Sequence, residues 1–151
     1  MDPNLPAGQT CIRAATEQDL PQILQLEELS FEKHWDYYNF KASLHDIFLV
    51  YDDQGIVGFL VACCCRLSQR GMILKIAVHP EHRSKGIATE LIRTCLAELK
   101  RRDLVDVELD VDIVKEGAVR LYEKVGFSVV EAISISYEDD DTFYIMRRKL
   151  D

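Results

Sequence analysis

The sequence predicts an α+β domain with α/β character in its middle: a mixed, mostly antiparallel sheet of about six or seven strands flanked by about four helices. Three observations predict it. Hairpin patterns stand at both ends, at 47–66 and 127–149, and strands alternate with helices between them. Ile87, Leu91, Ile92, Cys95, Leu96 and Leu99 recur at helical spacing, which marks an amphipathic helix. A length of 151 residues fits one domain, and 48% hydrophobic against 29% charged residues excludes overall disorder.

The elements follow in order. After a flexible leader at 1–9, residues 10–15 form the first strand of a domain spanning 10–151. Asp19 opens a helix with Pro21 in its first turn, where the missing donor costs little, and Ile23, Leu24, Leu26 and Leu29 give it an apolar stripe. A second helix runs from Asp36 to about His45. IFLVY at 47–51 and IVGFLVACCCR at 56–66 flank the turn DDQG, a hairpin signature. A strand at 72–78, the helix from Gly86 to about Arg102, a strand at 105–111, a helix at about 116–125 ended by Gly126, and strands at 127–137 and 142–149 complete the order.

Twenty-six acidic against 18 basic residues give a net charge of −8, which opposes binding to a phosphate backbone and excludes nucleic acid as a partner. The five cysteines lack CxxC spacing and form neither a disulfide framework nor a zinc site. The run Cys63, Cys64, Cys65 cannot converge on one metal, because neighbouring strand residues point to opposite faces, so it is expected to pack in the core. MDPNLPAGQT lacks the apolar centre of a signal peptide, and no apolar run approaches the roughly 20 residues that span a bilayer. A cytoplasmic protein without membrane attachment is expected.

Chemistry concentrates at 73–92, ILKIAVHPEHRSKGIATELI, where a buried strand passes through a polar loop into a helix. The first amides of a helix have no internal partner, and with the helix dipole they form an anion site. Gly86 and Ala88 let a diphosphate approach the backbone, and Arg83 and Lys85 add charge; alternatively, Gly86 only loosens the helix start and the basic residues are solvated. The Walker and GxGxxG patterns are both absent. His79 and His82 flank the loop as exposed residues, and His34 and His45 show no pairing. On 105–112, VDVELDVD, period two sets Asp106, Glu108, Asp110 and Asp112 on one face, roughly 6 to 7 Å apart.

The stretch AVHPEHRSKGIA resembles the acetyl-CoA signature R/Q-x-x-G-x-G/A of the GNAT superfamily of N-acetyltransferases, through Arg83, Gly86 and Ala88. AVRLYEKVGF at 118–127 resembles the family's A..LYEK.GF, and the two blocks stand in the family's order. The resemblance covers essentially 11–150 and is closest to the RimI-like N-terminal (ribosomal-protein alanine) acetyltransferase branch. It implies the single-domain GNAT fold, splayed at strands 72–78 and 105–111, with acetyl-CoA as cosubstrate and no metal. Acetyl-CoA would lie along Ile76, Ala77 and Val78, with its pyrophosphate on Arg83, Ser84, Lys85, Gly86, Ile87 and Ala88, and Lys115, Ala118, Tyr122 and Lys124 would contact it from the second block.

By the same resemblance Tyr122 is the general acid that protonates the departing thiolate, against the alternative of a tyrosine that only packs its helix. The branch holds its catalytic base twelve residues before that tyrosine, which is Asp110 here, with Glu108 as the second candidate; the alternative is a solvated acidic face. Two departures stand out. The fourth strand carries Lys75 where the family often has an acid, and Lys115 replaces an asparagine. SFEKHWDYYNF at 30–40 and SYEDDDTFYIMRRKL at the end resemble segments that close the peptide groove, so Phe31, Trp35 and Tyr137 are expected to contact the acceptor, unless the aromatics are simply core.

The implied activity is transfer of acetyl from acetyl-CoA directly to a primary amine, foremost a protein or peptide N-terminal α-amine. The alternatives are a small cationic amine or polyamine as acceptor, or a catalytically silent acyl-CoA-binding module. Family members are often dimers, which makes a homodimer the expected assembly.

Overall fold

The computed structural model describes residues 11–31, 34–134 and 141–151. The expected leader at 1–9 lies outside them. The described elements are β1 (Ile12–Ala14), a 3₁₀ turn (Glu17–Asp19), α1 (Leu20–Ser30), α2 (Tyr37–Ser43), β2 (Ile47–Asp52), β3 (Ile56–Cys65), β4 (Arg70–Val78), a 3₁₀ turn (Pro80–His82), α3 (Ile87–Arg101), β5 (Asp106–Asp112), α4 (Glu116–Lys124), β6 (Ser128–Ser134) and β7 (Thr142–Lys149). The strands form a seven-stranded sheet in the order β1-β2-β3-β4-β5-β7-β6. The seven strands and four helices expected from the sequence are present. β1–β2, β2–β3, β5–β7 and β6–β7 pair antiparallel, and β4–β5 pair in parallel. The parallel ladder holds for three residue pairs, Arg70 with Asp106 through Met72 with Glu108, and then ends.

The described residues fall into two compact units, one within 11–62 and 75–95, the other within 63–74 and 96–151. The first is built on Leu20, Ile23, Leu26, Phe40, Phe48, Val50, Phe59, Val61 and Ala77. Phe40 is its hub, with the Phe59 ring edge-on at 5.5 Å and Phe48 at 5.8 Å. Gly58 is required for close packing: a Cβ there would meet the Ala77 carbonyl oxygen and Ile87 Cγ2, each at 3.2 Å, so its absence lets the first turn of α3 seat on the strands. Asp36 caps α2 by accepting the Asn39 N–H at 2.8 Å, and Asn39 Oδ1 accepts the Asp36 N–H in return.

In the second unit Val107, Leu109 and Val111 are buried while the acidic residues between them are half-buried or exposed, as the alternation predicts. Gly71 is required where α3 crosses β4, since a Cβ would come within 2.8 Å of both Leu99 methyls.

Two expectations need correction. The cysteine run does not pack in the core: β3 leaves the buried layer after Ala62, Cys63 and Cys64 are half-buried, and Cys65 is exposed beside the turn at 66–69. Only Cys95, on the inner face of α3, is buried among the cysteines. The buried face of α1 is also rotated from the stripe read in the sequence. Leu29 is 57% exposed, and Leu20, Ile23, Leu26 and Glu27 are the residues turned inward.

Candidate active site

In the first unit β4 delivers Ile76, Ala77 and Val78 to a rigid corner. The His79 N–H bonds the Val57 carbonyl at 2.8 Å, and His79 Nδ1 accepts the Glu81 N–H, capping the 3₁₀ turn. His79 and His82 are half-buried with their rings edge-to-face at 5.7 Å, so they brace the corner rather than stand in solvent as expected. Arg83 Nε donates to the Val78 carbonyl at 3.1 Å, tying the loop back onto the strand. Ser84 and Gly86 have φ of 65° and 82°, turning the chain through the left-handed region before Gly86 O accepts the Glu90 N–H as the first helical bond. The amides of Ile87, Ala88 and Thr89 therefore have no helical partner.

The fit to a diphosphate can be tested on Gly86: a Cβ there would meet nothing within 4 Å, so open space lies in front of the backbone. Arg83, Ser84, Lys85 and Gly86 are exposed around it, while Ile87 anchors the helix from below. The residues present fit the anionic group that the motif implies.

In the second unit the four carboxylates of β5 have different fates. Asp106 accepts Arg70 Nε at 2.8 Å. Glu108 accepts Arg147 Nη2 at 2.8 Å and pairs with Arg70 Nη1 at 3.0 Å. Asp112 accepts the Val114 N–H at 3.1 Å. Asp110 is exposed, with no hydrogen-bond or ion-pair partner among the described residues. Glu108, named as second candidate for the base, is held between two guanidinium groups. Asp110 is the carboxylate left available.

Tyr122 is placed by the end of its own helix. The Phe127 N–H bonds the Tyr122 carbonyl at 2.9 Å and the Gly126 N–H bonds Glu123 O at 3.0 Å, with Gly126 at φ 98°, a Schellman motif. Its hydrophobic contact is the Tyr122–Phe127 ring pair, centroids 6.0 Å apart. The spacing from tyrosine to glycine to phenylalanine in LYEKVGF is thus a helix stop that fixes the tyrosine. Burial, and then the charge of Asp110, push the Tyr122 phenol up to about 12. It is a protonated donor at neutral pH, electrostatically coupled to Asp110 in the same unit. Lys115 precedes α4 as its N-cap, Ala118 is half-buried on the helix, and Lys124 is exposed in its last turn. Among the described residues no group of His, Cys, Asp and Glu is arranged to hold a metal ion.

The profile of the acetyltransferase (GNAT) family matches residues 13–127. The chain belongs to this family. An N-alpha-acetyltransferase of Saccharolobus solfataricus is 28% identical over 92% of this chain and 92% of its own length. Among solved structures, the ribosomal-protein-alanine N-acetyltransferase from Brucella melitensis aligns with a TM-score of 0.79 at 19% identity, over 91% of this chain and 98% of that one. The NatC complex bound to Gag peptide and CoA aligns with a TM-score of 0.83 at 19% identity, over 93% of this chain and 98% of that one. These likenesses show the shared GNAT fold.

As a member of the family this acetyltransferase is an acetyl-CoA-dependent enzyme, in agreement with its two motifs. Of the expected acceptor contacts, Phe31 and Trp35 are half-buried against the first core, and Tyr137 lies outside the described residues. Sequence reasoning missed Glu27, which is fully buried and salt-bridged to Lys75 at 2.7 Å. The signal was available: Leu20, Ile23, Glu27 and Ser30 share one helical face by their spacing. Lys75, which stands where the family often has an acid, is the partner of that carboxylate.

Proposed function

We propose that residues 10–151 act as one domain that transfers acetyl from acetyl-CoA directly to the α-amine of a protein or peptide N-terminus. The observation that carries the chemistry is that Asp110 is the one β5 carboxylate without a hydrogen-bond or ion-pair partner among the described residues, in the same unit as the buried Tyr122. Asp110 takes a proton from the incoming ammonium, directly or through water. The freed amine attacks the thioester carbonyl, the adduct loses its second nitrogen proton to solvent, the C–S bond breaks as Tyr122 gives its proton to the departing thiolate, and the phenolate is reprotonated from solvent. Holding both substrates replaces a bimolecular encounter by positioning, and no covalent enzyme intermediate is needed. Ile76–Val78 and 83–88 bind acetyl-CoA, with Lys115, Ala118 and Lys124 as further contacts.

The acceptor is supported by the name of the Saccharolobus relative and by the peptide held in the NatC complex. A polyamine acceptor is weakened by the pairing of Asp106 and Glu108 with arginines, which neutralises half of the acidic face. A cytoplasmic location is supported by five cysteines without a disulfide and by the need for acetyl-CoA. No helix among the described residues is long and apolar enough to cross a membrane. The homodimer expected from the family is measured by light scattering.

Thiol release from acetyl-CoA, followed across a panel of N-terminal peptides and a panel of polyamines, tests the acceptor. Turnover of peptides is expected, and turnover of polyamines alone would overturn it. Asp110→Asn is expected to lower kcat at neutral pH by about 10²-fold or more and to flatten the ascending limb of the pH–rate profile. Asp106→Asn and Asp112→Asn should be mild. Similar effects from all three, appearing in KM and screened by salt, would return the strand to a diffuse attractor of cations.

A further inference from the structure

Phe31 and Trp35 are held by an arrangement that stability alone does not account for. Lys75, on β4, and Glu27, in the last turns of α1, form an ion pair at 2.7 Å with side chains only 9% and 1% exposed. The same carboxylate oxygen, Oε2, accepts the backbone N–H of Trp35 at 2.7 Å. Glu27 Oε1 is buried with no hydrogen-bond partner among the described residues. The Lys75 ammonium lies 3.8 Å from the centroid of the Phe31 ring and 5.1 Å from that of Trp35. Trp35 in turn packs at a tilt against Phe40, centroids 5.3 Å apart, at the hub of the core.

A buried ion pair seldom stabilises a fold more than apolar residues of similar volume would, and an unsatisfied carboxylate oxygen lowers its value further. What the pair supplies is geometry. The ammonium cannot leave the two rings without losing both its counter-ion and its cation–π contacts, and the carboxylate cannot turn without releasing Trp35. We propose that Lys75 is a positioning residue which, with Glu27, fixes Phe31 and Trp35 for binding of the acceptor amine. This rests on the proposed function and on the expectation, drawn from the family resemblance, that those two residues contact the acceptor. Lys75 contributes to acceptor KM and takes no part in proton transfer.

Trp35 is the single tryptophan of the chain, so its fluorescence reports the arrangement without any need for activity. In Lys75→Met, acrylamide quenching of Trp35 should rise and KM for the acceptor by about tenfold, with kcat and the Kd for CoA nearly unchanged. Lys75→Arg keeps a cation over the rings and should recover most of the loss. Glu27→Leu with Lys75→Met removes both charges together, keeps the fold, and should show the same KM defect.

The proposal is overturned if folded Lys75→Met, or the double variant, keeps wild-type quenching and acceptor KM. It is equally overturned if kcat and both KM values degrade together without rescue by arginine, which would mark a purely structural pair. The acceptor class is judged separately, on the wild-type panel. If polyamines are the amines turned over, the N-terminal assignment falls and Lys75 is judged by KM for the polyamine.

Discussion

Tyr122→Phe is expected to lower kcat by about 10² to 10⁴-fold while CoA affinity stays nearly unchanged. The substitution removes one hydroxyl and leaves the ring that packs at 6.0 Å on Phe127, so the Schellman stop of α4 survives. What is lost is the proton that would go to the thiolate. The phenol's position at about 12, above the ordinary 10.0, sets the sign of the pH dependence. A raised folded value keeps the donor protonated throughout the neutral range, so no alkaline loss of kcat below about pH 10 should come from this group. Its contribution to stability is complete below the ordinary value and is lost as pH rises from there toward 12. Single-turnover measurement with the best amine checks the rate. A variant with full turnover where chemistry limits would return Tyr122 to a packing role.

Gly86→Glu is expected to abolish CoA binding. The position lies at φ 82° with open space where a Cβ would project, so a glutamate has room to extend, and it extends into the place proposed for the diphosphate. Its charge faces the unpartnered amides that would have bound the anion. Gly86→Ala separates the causes. It carries the backbone strain of a left-handed residue, on the order of 1 kcal/mol, without the charge, and should weaken binding only modestly. Titration calorimetry with CoA and thermal shifts read both variants. Wild-type protein should gain roughly 2.7 kcal/mol at 100 times Kd, and Gly86→Glu should gain nothing. Wild-type affinity in Gly86→Glu would remove the loop from the cofactor site.

Part of the site was visible in the chain because its determinants are local. The turn at 83–88 depends on neighbouring residues, as does the helix stop that places Tyr122, and both are written as short motifs with glycine where φ is positive. The strand at 106–112 shows its acidic face by alternation alone. Alternation could not tell the four carboxylates apart. That choice came from Arg70 on β4 and Arg147 on β7, which reach Asp106 and Glu108 across the sheet and leave Asp110. The cysteine run failed as core for a related reason, since composition does not tell a strand where its covering layer ends.

The sequence by itself determined the order of strands and helices, the glycine turn at 83–88 and the tyrosine's helix stop, because hydrophobic period, capping and glycine conformation act over a few residues. Tertiary structure alone decided which acid is available and that Glu27 meets Lys75 beneath Phe31 and Trp35. Those partners are 48 residues apart in the chain. A charge is tolerated in an apolar core only where the fold brings its counter-ion to it, and no local pattern encodes that meeting.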